Sequence, residues 1–377
     1  MISYGRQSIS QEDIDDVVKT LQSDFLTQGP KIHEFESKFA NYVGSKFAVA
    51  VSSSTAGLHL SCLALGLTEN KLAWTVPNTF VATSNSVLYT GAMIDFVDID
   101  LQTYNLSIEF LEKKLYSAKV KPDVIIPVHF SGCSCDMKEI YRLSEKYNFQ
   151  ILEDASHAVG SSFNQRKVGA CEFSNLCVFS FHPVKIITTG EGGMVTTNDE
   201  SLYQKLIRLR SHGIIREEGF LQNTSHGGWY YEQIDLGLNY RITDIQASLG
   251  ISQLKRLDSF VQRRNEIAKL YSEALAGLPI QLPLIDQENQ SSFHLYVIRT
   301  NRRKELYDFL KTKNIFTQVH YIPVHTQPFY QKLGFQLGDF PISEKYYEEA
   351  LTLPIHFNLS DKDLQFIINS IKEFFEE

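Results

Sequence analysis

"FSFHPVKIITTGEGG", residues 179–193, sets one lysine between an apolar run and a glycine-rich tail. The run that leads into it, "LCVFSFH" (176–182), is almost continuously apolar, as in a strand covered on both faces. Such a strand belongs to a parallel sheet with a helix layer on either side. Working outward, six more stretches read the same way: "KFAVAVSS" (46–53), "LAWTVP" (72–77), "MIDFVDI" (93–99), "DVIIPVHF" (123–130), "FQILEDAS" (149–156) and "GGMVTT" (192–197). Between them "IEFLEKKLYS" (108–117) and "MKEIYRLSEKYN" (137–148) repeat apolar residues at helical spacing. This order predicts an α/β protein with a mainly parallel central sheet flanked by helices. Near the start, "SQEDIDDVVKTLQSD" (10–24) reads as an amphipathic helix with Ser10 as N-cap and acids in its first turn.

After about residue 245 the pattern changes. A long helical run, "ITDIQASLGISQLKRLDSFVQRRNEIAKLYSEAL" (242–275), is followed by the strand "SFHLYVIRT" (292–300) and a closing helix "DKDLQFIINSIKEFFEE" (361–377). "PLIDQENQSS" (283–292) reads as a polar surface loop. A chain of 377 residues exceeds what one core usually sustains, so the division expected is a large α/β domain at 1–250 and a smaller α+β domain at 251–377.

Composition excludes several functions. The formal net charge of -8 argues against a nucleic-acid partner, which requires a basic face. No stretch reaches the apolar length of a membrane span, and the opening "MISYGRQSIS" lacks a secretory apolar core, so no membrane partner and a cytoplasmic location are expected. Five cysteines, an odd number in a long chain, favour reduced thiols. The eleven histidines form no metal-ligand spacing, and no metal is expected. His182 and His212 read as packed histidines.

Three features fall at carboxyl ends of strands, where α/β proteins bind ligands. "SSSTAGLHL" (52–60) brings small hydroxyl residues into a helix start, which suits a phosphate and equally suits a plain cap. Asp154 follows "FQILE", where an acid also serves as a cap or a structural acceptor. Ser180 and Lys185 follow "LCVF". Together a phosphate-binding helix end, an aspartate and a lysine are the protein parts that pyridoxal phosphate needs: a lysine to bond its aldehyde and an acid to keep its ring nitrogen protonated.

"EDASHAVGS" (153–161), "FSFHPVK" with "TTGEGGMVTTND", "LRSHGI" (209–214), "LGLNYRITDIQASLG" (236–250) and "PFYQKLGF" (328–335) resemble the DegT/StrS-type sugar aminotransferases almost end to end. That resemblance implies a fold type I enzyme with pyridoxal 5'-phosphate as cofactor. "LTQGPKIHEFE" (26–36), "FHPVKIITT" (181–189) and "QVHYIPVH" (318–325) are similar to the branch of pseudaminic acid biosynthesis. The implied reaction moves an amino group from L-glutamate, leaving 2-oxoglutarate, to carbon 4 of a UDP-linked 4-keto-6-deoxy-N-acetylhexose. A dTDP-linked or GDP-linked 4-keto sugar is the alternative. Residue by residue, the resemblance implies that Lys185 bonds the cofactor and is the catalytic residue. Asp154 meets the ring nitrogen, His157 lies beside the phenolic oxygen, Phe80 stacks on the ring, and Ser180, Thr55 and Ala56 hold the phosphate. Asn239 is implied to reach the cofactor phosphate of a neighbouring subunit, making a homodimer with shared sites. Tyr4, Leu26, Thr27, Gln28, Gly29, His320, Tyr321, Ile322 and Pro323, with Ala56, Ser180 and Asn239, match the nucleotide-sugar side. Ser54 and Ile186 stand where the family commonly has a glycine and an Asn or Pro.

Overall fold

The computed structural model describes residues 1–284 and 289–376; positions 285–288 of the expected loop "PLIDQENQSS" lie outside them. All seven strands read from the sequence enter one sheet. They are β1 (Phe47–Val51), β2 (Leu72–Thr75), β3 (Met93–Phe96), β4 (Val124–Ile125), β5 (Gln150–Asp154), β6 (Leu176–Ser180) and β7 (Gly193–Thr197). Their order across the sheet is β1-β7-β6-β5-β4-β2-β3. Every pairing is parallel except the two that β7 makes, antiparallel to β1 and to β6.

Side-chain alternation explains the unbroken apolar runs. Ala48 and Ala50 of β1, Cys177 and Phe179 of β6 and Met194 of β7 enter one core, while Val49, Val51, Leu176, Val178 and Val195 enter a second on the opposite face. The first core is closed by α2 (Pro30–Val43) through Phe35 and Phe39, and the second by α3 (Ser54–Ala64) through Leu58, Leu60 and Cys62. Ahead of α2, helix α1 (Gln11–Leu21) carries the expected Ser10 cap as a capping box with Asp13. Helices α4 (Val81–Leu88), α5 (Ile108–Ser117) and α6 (Met137–Tyr147) connect the next strands in turn, and α7 (Glu200–Arg210) follows β7.

The long run at 242–275 forms two helices, α8 (Asp244–Leu254) and α9 (Leu257–Ala274). The break falls at Lys255 and Arg256, and Arg256 binds the fully buried Asp13 of α1. Beyond it, β8 (Tyr296–Arg299), α10 (Arg303–Thr312), β9 (Ala350–Leu353) and α11 (Asp361–Glu376) build another core around Tyr296, Leu306, Leu351 and Ile367. The division into 1–250 and 251–377 remains a proposal. Residue 250 lies inside α8, and α9 spans both cores, with Phe260 in the first and Tyr271 in the other. Among the described residues, no helix is long and apolar enough to cross a membrane, and the five cysteines form no disulfide.

Candidate active site

A cavity of about 800 Å³ opens beside the carboxyl ends of β1, β5 and β6. Tyr4, Thr55, Phe80, Asp154, His157, Ser180, Lys185, His320, Tyr321 and Ile322 line it. Ala56, Asn239, Leu26, Thr27, Gln28, Gly29 and Pro323 do not.

The glycine-rich tail and the two threonines explain how Lys185 is presented. β6 and β7 are antiparallel neighbours, with Ser180 opposite Gly193, so the lysine stands in the loop between them. The loop is tied at its base, because Phe181 donates to the Gly192 carbonyl and Thr188 Oγ1 and the Thr189 N–H both donate to the Phe181 carbonyl. Ile186 and Ile187 are buried in the first core and anchor the segment from beneath. Gly193 is required by close approach, since a Cβ there would lie 2.7 Å from the backbone of Ser53 and Ser54.

That approach sets the start of α3 beside Lys185's loop. Ser53 caps the helix through the Ala56 N–H at 3.1 Å, so the Ala56 donor is already engaged. Ser54 and Thr55 are the first residues of the helix, and their N–H groups have no acceptor within it. With the hydroxyls of Ser52, Ser54, Thr55 and Ser180 they line the same cavity, at the positive end of a helix dipole.

Asp154 ends β5 and is buried. Thr83 Oγ1 donates to Oδ2 at 2.7 Å, and Ser156 donates to Oδ1 through its hydroxyl at 2.6 Å and its N–H at 3.1 Å. These three hydrogen bonds leave the carboxyl oxygens lone pairs for one further donor. Burial pulls the Lys185 amine down to about 8, while the charge of Asp154 opposes that fall. His157 accepts from the Ser131 N–H at Nδ1, 3.3 Å, so Nε2 carries the hydrogen that points at Tyr321 Oη, 2.9 Å away. Burial, with the charges of Lys185 and His320 adding, holds His157 well below the usual imidazole range. Burial pushes the Tyr321 phenol up, so it stays protonated with its O–H free to donate into the cavity. His320 is drawn down to about 3 by burial and by Lys185, and its Nδ1 meets Thr352 Oγ1 at 2.9 Å.

Other site residues escape a reading of the sequence. Thr83 and Ser156 orient Asp154, and Gln318, Gln327 and His294 line the cavity from distant segments. Ser156 lies within the "EDASHAVGS" stretch and could have been found there; His294 sits in an ordinary strand pattern with no local signal. The packed reading of two histidines is corrected: His182 and His212 are both exposed, His182 at the cavity because it follows the chain out of β6.

The donor set fits pyridoxal phosphate. Free first-turn N–H groups and hydroxyls suit a phosphate, a carboxylate with spare lone pairs suits a protonated ring nitrogen, and an amine lowered towards neutrality suits an aldehyde. The DegT/DnrJ/EryC1/StrS aminotransferase family matches residues 7–372, and the chain belongs to that family. It is a pyridoxal-phosphate-dependent sugar aminotransferase. It is 39% identical to the spore coat polysaccharide biosynthesis protein SpsC of Bacillus subtilis, over 99% of this chain and 96% of that one. It is 37% identical to the UDP-4-amino-4,6-dideoxy-N-acetyl-beta-L-altrosamine transaminase of Campylobacter jejuni, over 100% of this chain and 98% of that one. Among solved structures, the PLP form of Spr1654 from Streptococcus pneumoniae superposes with a TM-score of 0.90 at 29% identity, covering 100% of this chain and 98% of that one.

Proposed function

We propose that this enzyme takes an amino group from L-glutamate and places it on carbon 4 of a UDP-linked 4-keto-6-deoxy-N-acetylhexose; the Campylobacter relative is named as a transaminase of a UDP-linked 4-amino-4,6-dideoxy-N-acetyl sugar. The observation that carries the reading is the Lys185 amine, lowered to about 8 in a cavity that also holds Asp154 and the free start of α3. Pyridoxal phosphate, when bound, supplies the electron sink that makes a carbon beside nitrogen acidic. Lys185 would hold the cofactor through its aldehyde, and its Nζ would be the group that moves the proton at the amino acid's α-carbon. An amine lowered towards neutrality can both accept and return that proton near neutral pH.

Asp154, steadied by Thr83 and Ser156, holds the ring-nitrogen proton. Ser180, Thr55 and the first turn of α3 hold the phosphate, with Ala56 contributing less because Ser53 engages its N–H. His157 would serve the phenolic oxygen, and Phe80, 58% exposed at the start of α4, would cover the ring. Tyr4, His320, Tyr321 and Ile322 line the other part of the cavity, which suits the sugar.

The unit we propose is a homodimer with shared sites. Asn239 is bridged to Ser211 and Thr27 to Thr243, both outside the cavity lining of their own chain. Their implied contacts therefore call for a second copy, and the exposed Phe25 and Leu26 beside them offer it an apolar surface. Subunit exchange between inactive Lys185→Ala and inactive Asn239→Ala proteins should restore activity; verified exchange without activity would show that Asn239 serves its own chain. Five cysteines that form no disulfide favour the cytoplasm.

A second reading keeps the 4-keto sugar and changes its carrier to dTDP or GDP; the identity to SpsC, named for spore coat polysaccharide biosynthesis, is higher than that to the altrosamine transaminase. Product analysis with a panel of UDP-, dTDP- and GDP-linked 4-keto-6-deoxy sugars decides it. Amination confined to the UDP sugar supports the first reading, and preference for another nucleotide replaces it.

A further inference from the structure

His294 lies 109 residues from Lys185, yet its Nε2 is 3.4 Å from the lysine Nζ. The ring is buried, tilts against His157 with centroids 4.6 Å apart, and lines the cavity. Its placement is over-determined. The buried Arg264 donates to the carbonyls of Phe293, His294 and Ile355, at 3.0, 3.3 and 3.0 Å. Phe293 adopts φ 44°, a left-handed conformation that a bulky residue rarely takes and that sets the direction of the next side chain. Nδ1 has no partner among the described residues.

A lysine amine can hydrogen-bond an imidazole nitrogen only as the donor if the ring nitrogen carries no hydrogen. Burial and the charges of Lys185, His157, Arg264 and His320 hold His294 well below the usual imidazole range, so the ring is neutral. With Nε2 as acceptor, the hydrogen resides on Nδ1. We propose that His294 is a positioning residue for Lys185: its Nε2 takes a hydrogen bond from an N–H of the free amine and so turns the amine's lone pair towards the cavity. A methylene stem ending in an unconstrained amine would otherwise sample many rotamers, and orientation alone is worth large factors in rate.

The inference rests on the proposed bond between Lys185 and the cofactor aldehyde. In that step the amine nitrogen bonds to the aldehyde carbon, and its two hydrogens leave with the aldehyde oxygen as water. The groups facing the amine and His294 are Asp154 on β5, His157 after it, His320 and Tyr321 from the segment before β9, and Arg264 on α9.

The test uses cofactor-free protein mixed with pyridoxal phosphate. Covalent uptake is followed by absorbance across pH and confirmed by borohydride reduction and mapping of the labelled lysine. Because a neutral acceptor stabilises the protonated amine, H294F should take up cofactor with its pH midpoint moved to lower pH. Its plateau rate at high pH should fall about tenfold through lost orientation. H294Q, which keeps an acceptor, should restore the midpoint. If H294F does not fold, H294A carries the same two readouts. Wild-type midpoint and rate in H294F or H294A would overturn the proposal. So would equal slowing in H294Q and H294F with an unmoved midpoint, the mark of a packing role. Wild-type labelling at another lysine would instead remove the reading of Lys185 on which the proposal stands.

Discussion

Two groups of residues line the cavity, and they reach it by different routes. Asp154, Ser180, Lys185 and the Ser52–Thr55 run stand at or just beyond the ends of sheet strands, each within a few residues of the strand that aims it. Tyr4, His294, Gln318 and the His320–Ile322 run arrive from segments far away in sequence, held by contacts such as His320 with Thr352 and Tyr321 with His157. The first group is cofactor chemistry written in local pattern. The second, of which we assign all but His294 to the sugar, is set by tertiary packing.

The largest effect should come from the first group alone. Lys185→Ala should retain the fold and lose about 10⁴-fold or more of the glutamate half-reaction in single-turnover absorbance measurements. A modest loss would move the acid–base role to another residue and dissolve the contrast. Asp154→Ala should slow proton removal by about 10²- to 10³-fold. Among the described residues its side chain hydrogen-bonds Thr83 and Ser156, both at the cavity, so thermal unfolding should change little; the reverse pattern would make it a structural acid.

Those two residues were legible because the strands that carry them are buried on both faces and announce themselves as apolar runs, whose ends locate the crevice. Lys185 stood out by following such a run directly. The alternation of Ala48 and Ala50 against Val49 and Val51 into opposite cores is the physical reason the reading worked. The helix break at Lys255 and Arg256 was not legible; the partner of Arg256 there, the buried Asp13, lies some 240 residues away. His294 was hidden for the same reason: its partner is fixed by the fold and not by spacing. The exposure of His182 and His212 follows from loop paths that local pattern does not encode.

A smaller effect sharpens the contrast from the other side. Tyr321→Phe removes the acceptor of the His157 Nε2–H, leaving a buried donor unpaired at a cost of about 1–2 kcal/mol. It should slow the sugar half-reaction about tenfold and the glutamate half-reaction much less. Equal slowing of both halves would place Tyr321 with the cofactor group.

The smallest effect is a pH slope in the cofactor-free protein. Lys185 is lowered to about 8 from an ordinary 10.5, so below pH 8 it is charged in both folded and unfolded chains and its cost is fully present. Between those values the unfolded chain keeps a proton that the folded one has released, so stability should rise with pH. Urea midpoints of wild type relative to Lys185→Met should show that rise; a difference that is flat or falls with pH would mean the amine is not lowered.

The most direct measurement of the central claim is the covalent link itself. The protein purified with its cofactor is reduced with borohydride, digested, and the labelled peptide is sequenced. The label should lie on Lys185 of "FSFHPVKIITTGEGG" and be absent from Lys185→Ala. A label on any other lysine, or one that survives in Lys185→Ala, would contradict the account.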